Sequence, residues 1–107
     1  MGRQALGEFE QLVLLAALHL GEGAYAVAII REIARRTGRR ASHATVFVTL
    51  RRLEAKGLVT SRLADPTPQR GGRPKRYFRV SAEAMGLLRE SRDALLNMWR
   101  GLETSEE

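Results

Sequence analysis

Across Gly57 the hydrophobic period of this chain switches from that of a helix to that of a strand, with no linker between the two. On the N-terminal side, "AYAVAIIREIARRTG" (24–38) sets Ala26, Ile29, Ile30, Ile33 and Thr37 on one helical face. Gly38 is placed to end that helix, after two arginines that suit the negative end of its dipole. A short link, "RRA", leads to Ser42, a plausible cap for a further helix, "HATVFVTLRRLEAKG" (43–57), with Val46, Leu50 and Leu53 directed inward. On the C-terminal side, "LVTSRL" (58–63) and "RYFRV" (76–80) alternate as short strands do. Phe78 and Val80 share one face, Tyr77 and Arg79 the other. Between the strands, "ADPTPQRGGRPK" holds three prolines and two glycines, which forbid regular structure, so the pair reads as a β-hairpin with a long tip.

Two flanking segments complete the layout. "EFEQLVLLAALHL" (8–20) predicts a helix with one apolar stripe at Phe9, Leu12, Val13, Ala16, Ala17 and Leu20 and a second at Leu14, Leu15 and Leu18. A helix apolar most of the way round is buried on more than one side. The second stripe is therefore expected against another subunit. Ser81 can cap a last helix over 82–102, with Met85, Leu88, Leu95, Trp99 and Leu102 at near-heptad spacing, an apolar stripe longer than the rest of the domain can cover. The expected fold is mainly α with a small β-hairpin, a winged helix-turn-helix over 1–81, followed by a C-terminal dimerisation helix and polar tail over 82–107.

Charge decides what such a fold would touch. Residues 51–79 carry nine Lys/Arg against two Asp/Glu, whereas residues 80–107 carry three against six. The net charge of +6 thus belongs to one middle segment, which points to a polyanion on one face, double-stranded DNA ahead of membrane. In helix-turn-helix proteins the second helix of the pair enters the major groove. Here it carries a polar stripe, Thr45, Thr49, Arg52 and Lys56, with Ser42 and His43 at its leading end. Hydroxyls and guanidinium groups can bond base edges. Arg70, Arg73, Lys75 and Arg76 of the hairpin, the wing over 65–76, would displace counterions from flanking phosphates.

The blocks "LGEFEQLVLLAALHLGEGAYAVAIIREIARRTGRR", "TVFVTLRRLEAKGLVTSRL" and "GGRPKRYFRVS" resemble the PadR-like transcriptional regulators over nearly the whole chain, in the compact branch with a short C-terminal region. The resemblance implies a homodimeric bacterial winged-helix repressor whose last helix, and often its first, pack on the partner subunit. It implies, for some compact members, a flat hydrophobic effector held at the dimer interface by a tryptophan, a place taken here by Trp99 with Met98 beside it. Where the family often reads Gly-Thr-(Ile/Leu)-Tyr-Pro, this chain has Ala44, Thr45, Val46, Phe47 and Val48, so a tyrosine hydroxyl contact to DNA is not carried over.

Other functions find little support. There is no cysteine, and with two histidines no base and acid are spaced to activate a nucleophile, so an enzyme is not expected. No metal spacing, phosphate-binding loop or cofactor motif is present. The start of the chain does not read as a signal peptide and the longest apolar run is too short to span a bilayer, so a cytoplasmic, nucleoid-associated protein is expected. A winged-helix docking module and a non-specific architectural DNA-binding protein remain the alternatives. The first need not concentrate cations on the third helix and wing; the second shares the charge but has no sequence preference.

Overall fold

The computed structural model describes residues 5–64 and 74–102. The element order is α1 (Glu8–Leu20), a single 3₁₀ turn (Gly21–Gly23), α2 (Ala26–Thr37), α3 (His43–Ala55), β1 (Val59–Leu63), β2 (Arg76–Val80) and α4 (Ala82–Trp99). This is a winged helix-turn-helix followed by a C-terminal helix, as the periodicity predicts. The helix ends differ from the expected bounds by a few residues: α2 begins at Ala26, and α4 stops at Trp99, which leaves Leu102 beyond it.

Local chemistry fixes the helix boundaries. The Ser42 hydroxyl accepts the Thr45 N–H at 3.0 Å, and Ser81 accepts that of Ala84 at 3.1 Å, so each satisfies a donor that a helix start leaves open. At the N-terminus of α1 the same need is met in reverse, because the Glu10 carboxylate accepts the Gly7 N–H at 2.9 Å. Gly57 closes α3 with φ +78°, where a side chain would be strained; its N–H bonds the Glu54 carbonyl and that of Leu58 the Leu53 carbonyl, the paired bonds of a Schellman cap. The chain is thereby turned straight into β1.

The hairpin pairs antiparallel, with Val59 opposite Val80 and Ser61 opposite Phe78. Its inner face sets Val59 and Phe78 into the core, while Thr60, Arg62 and Arg79 point out. The Phe78 N–H also bonds the Ala24 carbonyl at 2.8 Å, which ties the hairpin to the chain entering α2. Val13 and Leu14 of α1, Ile29 of α2, Val46, Leu50 and Leu53 of α3, and Leu58 and Val59 make one fully buried core. Each large side chain there contributes about 1.5–3 kcal/mol over an exposed one.

Two expectations need correction. Leu14, expected at a subunit interface, is wholly enclosed by the chain's own core, and Leu88 is likewise buried within the chain. Neither has surface to offer a partner. Along α4 only Ala84 and Leu88 are buried, and every side chain from Arg92 to Trp99 is exposed. The helix docks by its first two turns and presents the remainder to solvent.

Candidate nucleic-acid interface

α3 crosses the domain with Val46, Thr49, Leu50 and Leu53 inward. That rotation splits the polar stripe Thr45, Thr49, Arg52 and Lys56. Thr45 and Arg52 are exposed, but Thr49 is only 5% exposed and its hydroxyl donates to the Thr45 carbonyl at 2.8 Å. A threonine whose hydroxyl is satisfied by its own helix can face inward at small cost, so Thr49 has no edge for DNA. Lys56 is half-buried and its ammonium donates to a Glu10 carboxylate oxygen at 3.0 Å. Burial alone would raise the Glu10 pKa; the Gly7 N–H, Lys56 and more distant Arg52 outweigh it and hold the carboxyl below its ordinary 4.5. Lys56 serves to join the end of α3 to the start of α1.

The residues that do face outward are Ala44, Val48, Arg51, Arg52 and Ala55, with Ser42, His43 and Thr45 at the leading end. Ser42 is committed as a cap, and its hydroxyl also donates to that of Thr45 at 2.9 Å. The His43 ring stacks on Phe47, 6.2 Å between centroids and 11° from parallel, and the Arg51 guanidinium lies 5.8 Å from the same Phe47 centroid. Arg51 is further steadied by Glu54 at 3.7 Å. Val48 and Arg51 lie outside the stripe that polar residues at helical spacing define. The signal that finds them is their place opposite Val46, Leu50 and Leu53 on the helical wheel.

At the base of the wing the cations are also engaged. Arg76 donates to the Ser61 hydroxyl at 3.0 Å and Ser61 donates to Glu54 at 2.7 Å, so the hairpin is bonded to the helix that carries Arg51. The Lys75 ammonium lies 4.7 Å from the Tyr25 ring centroid, and Tyr25 meets Tyr77 edge-on. Arg62 and Arg79 flank Glu22 at 3.8 and 3.9 Å. Arg70 and Arg73, expected at the tip, lie outside the described residues.

Elsewhere acidic partners absorb part of the charge. Glu32, buried on α2, accepts from Arg36 and from Arg35, the latter at 2.8 Å. Those two hydrogen bonds, Arg36 first, lower its pKa against the opposing effect of desolvation. Arg39 pairs with Glu8 at 2.9 Å. Among the described residues Arg40 and Arg52 have no ion-pair partner, and both are exposed beside the turn and outer face of the helix pair.

Most of the apolar residues expected at a subunit interface are open to solvent. Leu15 and Leu18 of α1 are exposed, as are Leu95, Leu96, Met98 and Trp99 of α4 and Leu102 just beyond it. Among the described residues no helix is long and apolar enough to cross a membrane, and no group of three or more histidines and carboxylates is placed to hold a metal ion.

Known proteins share this arrangement. A PadR family regulator of Eggerthella lenta is 30% identical, with 92% of this chain and 88% of that one covered and a TM-score of 0.68. A PadR family regulator of Clostridium difficile is 20% identical, with coverage of 91% and 92% and the same TM-score of 0.68. The ORC1 protein of Aeropyrum pernix, solved in complex with DNA, is 24% identical with a TM-score of 0.65; 85% of this chain but only 26% of that one is covered, so the likeness is to one part of a larger protein. No curated protein matches the chain. The model of the transcriptional regulator PadR-like family matches residues 14–89, most of the winged-helix core just described, and the chain belongs to that family.

Proposed function

We propose that this regulator is a homodimeric, sequence-specific DNA-binding repressor that reads a pseudo-palindromic operator. The observation that carries the reading is the outer face of α3. It runs uncovered from Ser42 to Ala55, holds Arg51 and Arg52, and sits in a helix pair whose second member enters the major groove in proteins of this architecture. Ser42, His43, Thr45, Arg51 and Arg52 lie toward base edges and adjacent phosphates in this arrangement. The wing, with Arg70, Arg73, Lys75 and Arg76, lies on the flanking backbone. That the Aeropyrum pernix protein of like fold was solved with DNA supports DNA as the partner here.

Dimerisation follows from the exposed apolar faces. Leu15 and Leu18 of α1, and Leu95, Trp99 and Leu102 at the far end of α4 and just beyond it, leave large apolar side chains exposed, and a second copy covers them. Two-fold symmetry then sets two α3 helices about one DNA turn, ~34 Å, or a multiple of it apart. A flat hydrophobic effector bound beside Trp99 and Met98 would change that spacing and release the operator. The protein acts in the cytoplasm of a bacterium, on the nucleoid.

Fluorescence anisotropy of labelled duplexes tests the reading, with the gene's own upstream region set against a scrambled sequence over a salt series. Preferential binding with a steep salt slope supports a specific regulator. Equal binding to both would leave an architectural role, and no binding even at low salt would point to a protein partner.

A further inference from the structure

Val48 is 53% exposed at the middle of the outer face of α3, with exposed Ala44 one turn before it and exposed Ala55 beyond. Nothing within the described chain covers it. An exposed valine on a surface helix is costly twice over, since it leaves apolar area in water and has lower helix propensity than the alanine that would serve there. Its immediate neighbours argue against a protein partner: Arg51 and Arg52 stand on either side of it on the helix, and Arg51 is held in place by Phe47 and Glu54. An apolar knob between two guanidinium groups matches one chemical surface in particular. In the DNA major groove the only apolar group is the 5-methyl of thymine, which lies among acceptor atoms and phosphates that suit the flanking cations.

Resting on the DNA-binding reading above, we infer that Val48 is a specificity-determining residue that recognises the 5-methyl group of a thymine in each operator half-site. Ala44 leaves room for the base edge to approach, and the short side chains at 44 and 55 make Val48 the most prominent apolar group of the face. The contact selects thymine against cytosine, and it is blind to the Watson–Crick pairing itself, so uracil in the same pair is a clean probe.

The protein is first used to select duplexes from a random pool, and each thymine of the recovered sequence is then replaced by uracil. Loss of one buried methyl corresponds to about fourfold in affinity, and about sixteenfold when both half-sites are changed. Val48→Ala should bind the uracil duplex about as well as the unaltered protein does, yet no longer distinguish it from the thymine duplex. Because Val48 is exposed and alanine favours helix, the variant should fold; its circular dichroism melt confirms this. If a duplex is selected but no thymine-to-uracil change weakens binding by more than about twofold, or if Val48→Ala keeps the full discrimination, the assignment of Val48 is wrong while DNA recognition stands. If no duplex is selected over random sequence, specific DNA recognition falls, and this inference with it.

Discussion

The ammonium of Lys56 lies 3.0 Å from a carboxylate oxygen of Glu10, joining the C-terminal end of α3 to the first turn of α1 across 46 positions of sequence. Both side chains are largely withdrawn from solvent, so the pair is worth more than an exposed one and less than a fully buried one. Lys56→Ala is expected to lower unfolding stability by about 1–2 kcal/mol, read from urea denaturation midpoints. A phosphate-binding lysine would behave differently: its loss would leave stability unchanged and reduce the salt slope of DNA binding by about one.

The same carboxylate sets an acid dependence. Glu10 has its pKa held below 4.5 in the folded chain, as does Glu32 through Arg36 and Arg35. Between the folded and unfolded values the unfolded chain binds more protons, so stability rises with pH there. The contribution is present above the ordinary carboxylate range and is lost as pH falls through the lowered folded values. A Glu10→Gln, Glu32→Gln variant should start less stable near neutral pH and show a shallower decline toward pH ~3 than the unaltered protein, in urea melts taken at each pH.

Arg51 and Thr49 separate the outward face of α3 from its inward one. Replacement of Arg51 by Ala should weaken binding of a selected duplex by about 1–3 kcal/mol if it reaches a base, read by anisotropy at fixed salt. Thr49→Val should leave DNA affinity within about twofold, because its hydroxyl is spent on the Thr45 carbonyl. A large loss from Thr49→Val with the fold intact would mean that α3 rotates on binding.

How far the fold could be read from sequence follows from which forces are local. The caps Ser42 and Ser81, the stop at Gly57 and the strand alternation around Phe78 are legible because each is decided within a few residues. The site was legible only in part. Polar residues at helical spacing suggest an outward stripe, but Thr49 is satisfied by its own backbone and Lys56 by a glutamate far along the chain, and neither fact is visible in spacing. Leu14 illustrates the same limit in α1, where apolar residues surround the helix and nothing local says which meet the chain's own core. Val48 is illegible for the opposite reason, being an apolar residue at a position that faces water.

The contrast between Leu88 and Trp99 on one helix supplies the last test. Leu88 is buried within the chain, while Trp99 is 52% exposed three turns further on. Leu88→Ala opens a cavity in the domain and should cost about 2–5 kcal/mol of unfolding stability, as any core leucine does. Trp99→Ala should instead leave the winged-helix core intact and, on the homodimer proposed above, shift the protein toward monomer, seen in sedimentation velocity over a concentration series, because tryptophan commonly anchors interfaces. Weaker DNA binding should follow, since two linked α3 helices bind with a higher effective concentration than one. A Trp99→Ala protein that stays dimeric but loses its response to a flat hydrophobic ligand would instead place Trp99 in an effector pocket, with the dimer held by Leu15, Leu18 and Leu95.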